Sequence, residues 1–205
     1  MKALLVFMLT ISATLAQAEV DIEAGKARFV ECSACHGAQA EGNLALNAPA
    51  LSHLQPVYIV RQLQNYATGV RSGEPGTPAA VMAASVEGWD NIAEKRNLAI
   101  YINSLPSTTK DRTLTGDAEQ GATTYRNLCA GCHGRNGEGK NVLHAPALAG
   151  ADDWYLLAQM KAFQDKRRGS HQADQLGAQM QSMANLVDDE GLLNIIAYLQ
   201  TRQPN

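Results

Sequence analysis

Cys32-Ser33-Ala34-Cys35-His36-Gly37 is the stretch that decides the fold, and it returns as Cys129-Ala130-Gly131-Cys132-His133-Gly134. The offset is 97 residues. Carried along the chain without a gap, it sets Gly42 on Gly139 and Ala48-Pro49-Ala50-Leu51 on Ala145-Pro146-Ala147-Leu148. It also sets Tyr58 on Tyr155, Gln62 on Gln159, Tyr66 on Phe163 and Tyr101 on Tyr198. Matches spread over most of a half mean an internal duplication. A chain of 205 residues has room for two small domains.

The repeated motif carries its own chemistry. Two thiols separated by two residues can reach one edge of a porphyrin and add across its two vinyl groups. The adjacent histidine then turns beneath the ring toward iron. This spacing is the signature of c-type haem attachment. Other uses of the same residues fit less well. Zinc wants four ligands, and a histidine directly after a cysteine is poorly placed to join the same tetrahedron. A redox Cys-x-x-Cys belongs in a βαβ setting, of which there is no sign. Disulfides are common in exported proteins, but they do not explain two complete copies with histidine. Aromatic residues are only 5% of the chain. A domain of about 90 residues with so few has a thin core, and a haem would supply the missing apolar bulk.

The amino terminus reads as a secretory leader. Lys2 precedes the apolar run from Ala3 to Leu9, and Ala16-Gln17-Ala18 has the small-x-small pattern of a cleavage site. Cleavage is expected after Ala18, with the mature protein in the periplasm. An uncleaved anchor is the alternative, but the apolar run is shorter than the ~20 residues a spanning helix needs. The chain has 17 basic and 20 acidic side chains, formally −3; without the leader's Lys2 the balance is 16 to 20, or −4. Nucleic acid is not an expected partner for such a surface.

Each half reads as a first helix, the Cys-x-x-Cys-His motif, a loop, a middle helix, another loop and a last helix. Gly25 and Phe29, echoed by Gly121 and Tyr125, stand four apart on one helix face. The middle helices are expected over residues 58–67 and 154–163, the last over 91–104 and 188–201. Periodicity there is helical, and no strand signal stands out. The segment Ser104-Leu105-Pro106-Ser107-Thr108-Thr109 is a polar, proline-containing break. The expected division is a leader over 1–18, domains over 19–106 and 114–205, and a linker over 107–113.

With these motifs the chain resembles class I cytochromes c, specifically tandem dihaem proteins of the cytochrome c4 type, over nearly its whole mature length. The second half is also similar to haem domains fused to respiratory oxidase subunits, through Arg168-Gly169-Ser170-His171 and Gly177-Ala178-Gln179-Met180. The resemblance implies an all-α fold of two tandem class I domains, each wrapped around one covalent haem, with His/Met iron ligation. It also implies that the carbonyls of Pro49 and Pro146 accept the imidazole Nδ1–H of His36 and His133. The first half departs from the pattern at Glu87-Gly88-Trp89-Asp90.

The sixth iron ligand separates a carrier from an enzyme, because a thioether closes the position that peroxide or gas chemistry requires. Met82 is the one methionine after the attachment site in the first half, 19 residues before Tyr101; Met180 lies 18 before Tyr198. Core filling is the competing role for such methionines. Met183 is the alternative to Met180, and Met160 reads as core. His53, His144 and His171 read as loop residues and leave bis-histidine ligation as a minor option. Lys161, Lys166, Arg167 and Arg168 form a local basic cluster that could dock an acidic partner, face solvent or pair with haem propionates. No catalytic constellation is visible.

The expected function is one-electron carriage by two haems cycling between Fe(III) and Fe(II). Expected partners are other redox proteins: a membrane quinol-oxidising complex and a terminal oxidase or reductase. The rivals are a dihaem peroxidase, a dihaem sulfur-compound oxidoreductase, or a fixed electron-entry subunit of a larger complex.

Overall fold

The structure, a computed structural model, describes residues 19–107 and 110–203. The expected leader and its cleavage after Ala18 lie outside the described residues. The helices form two bundles. The first holds α1 (Ile22–His36), α2 (Pro56–Ala67), α3 (Pro78–Ser85) and α4 (Ile92–Ser104); the second holds α5 (Ala118–Leu128), α6 (Ala130–His133), α7 (Asp153–Gln164), α8 (Gln175–Ala184) and α9 (Asp189–Leu199). Local chemistry sets where they begin. The side chains of Asp21, Thr77, Asn91, Asp117, Asp174 and Asp188 each accept a first-turn N–H, and Pro56 and Pro78 stand in the first turn of their helices.

In each bundle the first helix crosses the last, α1 on α4 and α5 on α9. The crossing is close enough to require glycine. A Cβ on Gly25 would lie 2.3 Å from the Asn97 carbonyl oxygen, and one on Gly121 only 1.8 Å from that of Asn194. The same two asparagines pin the helix starts. Asp21 N–H donates to Asn97 Oδ1 at 3.2 Å, and Asp117 N–H to Asn194 Oδ1 at 2.7 Å. One turn on, Phe29 packs on Tyr101 and Tyr125 on Tyr198, with ring centres 5.5 and 5.3 Å apart. Phe29, Ile59, Leu63, Leu98 and Ile102 form the first core; Tyr125, Ile195, Tyr198 and Leu199 form the second.

The structure departs from the sequence reading in two places. The segments before the last helices, expected as loops, contain α3 and α8. Their start signals are present at Thr77-Pro78 and Asp174, but runs such as Ala79-Ala80-Val81-Met82-Ala83-Ala84 lack a helical period in hydrophobicity. The first Cys-x-x-Cys-His motif lies inside α1, whereas the second is split off as α6 by a break at Cys129 (φ −113°, ψ −37°). Gly121 stands eight residues before Cys129 where Gly25 stands seven before Cys32. The additional residue is absorbed at the break, so glycine and motif keep their relation to the last helix in both halves.

Gly121→Ala should force α5 away from α9 and lower stability by about 3 kcal/mol or more, the upper range for overpacking against a rigid backbone. Gly131→Ala has open space around the new Cβ and copies Ala34 of the first half; it should stay within about 1 kcal/mol of the parent. Guanidinium unfolding of the two holoproteins checks the contrast.

Candidate functional site

His36 and His133 close α1 and α6, which stop at Gly37 (φ 84°) and Gly134 (φ 83°). The chain then folds back on itself. Gly42 N–H donates to the His36 carbonyl at 2.8 Å, and Gly139 N–H to that of His133 at 2.7 Å. A one-residue bridge, Asn43 with Ala48 and Lys140 with Ala145, closes a 3₁₀ turn that ends left-handed at Asn47 (φ 52°) and His144 (φ 53°). This return loop delivers a proline carbonyl to each imidazole. His36 Nδ1 lies 2.7 Å from the Pro49 oxygen and His133 Nδ1 2.9 Å from the Pro146 oxygen. An acceptor there makes Nδ1 the protonated nitrogen and leaves the lone pair on Nε2. Burial lowers both imidazole pKa values, outweighing the opposite pull of the proline carbonyls. Burial thus favours the neutral form of both rings. In the second half Tyr125 and Tyr198 donate their hydroxyls to the carbonyls of Gly134 and Arg135, at 2.8 and 3.1 Å, and brace the chain after the histidine.

No disulfide joins the four cysteines; Cys32 and Cys129 are half-buried, and Cys35 and Cys132 are exposed. Burial raises the Cys32 pKa and pushes Cys129 up to about 11. A redox-active Cys-x-x-Cys needs the opposite shift. Among the described residues no three His, Cys, Asp or Glu side chains gather as a metal-ion cluster. Two thiols three residues apart beside a neutral imidazole with a free Nε2 suit a covalently attached haem in each half.

Met82 is half-buried on α3 and packs against the same apolar cluster as Cys32. Met180 and Met183 are half-buried on α8, and Met160 is half-buried on α7. His53 is not an exposed loop residue: it is 7% exposed, and its Nδ1 has no hydrogen-bond partner among the described residues. His144 and His171 are exposed. His144 and Asn47 both form the left-handed end of the return loop, although the residue types differ. The basic cluster is dispersed. Lys161 pairs with Asp189 and Arg167 with Asp165, while Arg168 turns inward between the bundles. Trp89, in the stretch that departs from the family pattern, packs on the first core with the Arg28 guanidinium 4.6 Å from its ring centre.

The seam between the bundles repeats the 97-residue offset in three dimensions. Arg71 donates to Gln62 Oε1 (2.6 Å), Gln159 Oε1 (2.7 Å) and Tyr155 OH (3.1 Å); Arg168 donates to Gln159 Oε1 (2.7 Å), Tyr58 OH (2.9 Å) and Gln62 Oε1 (3.2 Å). Arg71 stacks on Tyr66 and Arg168 on Phe163, each 4.6 Å from the ring centre. Burial pushes the Tyr58 hydroxyl pKa up, but Arg168 and Arg71 outweigh it and the net shift is downward. Arg71 and Arg168 stand 97 apart, so the repeat carries a signal of their equivalence, but no motif marks either as an interface residue. Of the expected linker, Lys110 and Thr113 are fixed by hydrogen bonds. Lys110 Nζ donates to the Glu41 carbonyl, and Thr113 and Leu114 donate their N–H groups to Asp153 Oδ2 at 2.6 and 2.8 Å.

Burial and the nearby Lys110 charge lower the His53 pKa from 6.5 to about 3. The unfolded chain therefore binds a proton that the folded protein refuses between these values, so this contribution to stability is intact above 6.5 and is lost as pH falls. At pH 5 the loss should be about 2 kcal/mol relative to pH 7.5. Denaturant midpoints at the two pH values should diverge in the parent and converge in His53→Gln.

A family model described as cytochrome c matches residues 118–203. The whole chain is similar to cytochrome c4 of Azotobacter vinelandii, at 31% identity over 97% of this chain and 98% of that protein. It is also similar to the thiosulfate dehydrogenase electron acceptor of Thiomonas intermedia, at 33% identity over 71% of this chain and 67% of that one. The fold matches reduced cytochrome c4 from Pseudomonas stutzeri with a TM-score of 0.72, covering 90% of this chain and 100% of that one at 23% identity. With this identity along nearly its full length and the same pair of helical bundles, the chain belongs to the cytochrome c4 family and is an electron carrier rather than an enzyme.

Proposed function

We propose that the chain holds two haems, one joined to Cys32 and Cys35 with His36 and Met82 as axial ligands, the other joined to Cys129 and Cys132 with His133 and Met180. The two domains are residues 19–106 and 114–205, joined by 107–113. The observation that carries the reading is the pair of imidazoles held through Nδ1 by Pro49 and Pro146 at 2.7 and 2.9 Å, each leaving Nε2 for iron. The family is one of dihaem proteins, which supports two covalent haems. Each haem supplies an Fe(III)/Fe(II) couple when bound. His36 with Met82, and His133 with Met180, would hold the two irons and exclude outside ligands, so that little would rearrange when an electron arrives. The proline carbonyls fix the imidazoles in one tautomer and orientation.

For the second iron, helix geometry favours Met180 over Met183. Gly177 and Ala184 mark the buried stripe of α8. At about 100° per residue, Met180 lies roughly 50° from the centre of that stripe and Met183 roughly 110°. The partners are redox proteins on the outer side of the inner membrane: a quinol-oxidising complex as donor and a terminal oxidase or reductase as acceptor. Export by the leader, cleaved after Ala18, would place the chain there. Among the described residues no helix is long and apolar enough to cross a membrane. Similarity to electron acceptors of thiosulfate dehydrogenase supports a second class of donor, a periplasmic sulfur-compound oxidoreductase.

Intact mass after acid–acetone extraction should show two covalently attached haems; a mass of bare polypeptide contradicts the reading. Met180→Ala should remove half of the weak red absorption band of thioether-bound ferric haem, lower one reduction potential and open one haem to carbon monoxide. Met183→Ala should keep the full band and cost packing stability alone, by less than the ~2–5 kcal/mol of a fully buried methionine because Met183 is half-buried. The reverse pattern would reassign the ligand.

A further inference from the structure

The proline carbonyl that each axial histidine leans on belongs to a peptide unit whose other side is held by the opposite domain. In the first half, the Pro49 oxygen accepts from His36 Nδ1 at 2.7 Å, and the N–H of the same peptide, on Ala50, donates to Asp152 Oδ2 at 2.7 Å. In the second, the Pro146 oxygen accepts from His133 Nδ1 at 2.9 Å, and Ala147 N–H donates to Gln55 Oε1 at 2.9 Å. Gln55 and Asp152 stand 97 residues apart, each at the N-cap of a middle helix, α2 and α7. They occupy the same place in the duplicated fold, reach in opposite directions across the seam, and differ in charge.

The remaining contacts show how the difference is accommodated. Gln55 also donates Nε2 to the Glu138 carbonyl at 2.6 Å. A carboxylate has no such donor, and in the other half the equivalent Glu41 carbonyl takes its hydrogen bond from Lys110 Nζ, 4.0 Å from Asp152 Oδ1. One amide on one side is thus replaced by an ammonium and a carboxylate on the other. Both charged side chains are largely enclosed, 11% and 13% exposed.

We propose, on the reading of His36 and His133 as iron ligands, that Asp152 and Gln55 are positioning residues which set the two haem potentials apart, Asp152 holding the first below the second. A carboxylate on a peptide N–H draws the proton toward itself, and peptide resonance moves electron density onto the carbonyl oxygen. Hydrogen bonds in series strengthen one another, and charge-assisted ones are shorter; the carboxylate arm is the shorter of the two at both of its bonds. A more basic Pro49 carbonyl pulls harder on Nδ1–H, makes His36 the stronger donor and favours ferric iron. The neutral Gln55 amide polarises the Pro146 carbonyl less. A single electron on the protein therefore rests on the second half. The bias exists only while the domains are docked, because each relay begins in the other domain.

Asp152→Asn keeps an acceptor for Ala50 N–H and removes the charge. It should raise the first haem's potential, increasing its ferrous-to-ferric ratio at fixed solution potential about three- to tenfold, tenfold being about 59 mV for one electron. Lys110→Met leaves the Asp152 charge unopposed and should lower the same potential. The second haem should move much less in both. Potentials are read haem by haem from hyperfine-shifted haem-methyl NMR signals during redox titration of the holoprotein. Shifts in opposite directions confined to the first haem support the relay. Shifts of the same sign in both variants, equal movement of both haems, or no movement overturn it. The red thioether band and the haem count are recorded on the same samples. If they fail, the ligand assignment is at fault; if they hold while the potentials stay put, the relay alone is wrong.

Discussion

Everything in each half is arranged around one hydrogen bond, from His36 Nδ1 to the Pro49 carbonyl and from His133 Nδ1 to that of Pro146. The bond must bring together groups 13 residues apart in a loop with almost no regular structure. The return of Gly42 and Gly139 onto the histidine carbonyls, the single bridge and the left-handed residue before Ala48 and Ala145 all serve that end. Most of the loop's backbone polar groups are spent in doing so. A ring with a fixed tautomer and a fixed direction results, which an electron carrier needs because reorganisation on each change of charge slows transfer.

The duplication explains why the seam between the domains is so regular. Two copies of one fold packed on the same face must meet through equivalent residues, and Tyr58, Gln62 and Arg71 meet Tyr155, Gln159 and Arg168. The acceptors of the buried Arg71 and the half-buried Arg168 are all tyrosine hydroxyls and glutamine amides. The cost of burying charge is held down by stacking on Tyr66 and Phe163 and by multiple hydrogen bonds. The halves diverge at Gln55 against Asp152 with Lys110, on the peptide that each histidine leans on.

Much of this was legible in the sequence, for a physical reason. The attachment motif, the proline segments and the glycine–aromatic pairs are constrained by covalent or steric contacts that tolerate few residue types, so they survive in both copies and the offset exposes them. What escaped depended on tertiary context. Helices α3 and α8 are short and rich in small residues, so no apolar period marks them. His53 looks like any polar loop residue until the packing of its loop buries it. Asn97 and Asn194 match at the offset, but an asparagine in a helix gives no hint that its carbonyl faces a glycine of another helix. Gln55 and Asp152 differ in type, and their equivalence shows only once both are seen gripping the same peptide in opposite halves.

With the proposed ligands, the protein would be a two-electron store built from two one-electron sites, each held by a histidine and a methionine. Reductive titration of the wild-type holoprotein under anaerobic conditions tests this most directly. It should consume two electrons per chain in two single-electron waves, with spectra that carbon monoxide leaves unchanged at neutral pH. Uptake of one electron, or rapid carbon monoxide binding to the reduced protein, would contradict it.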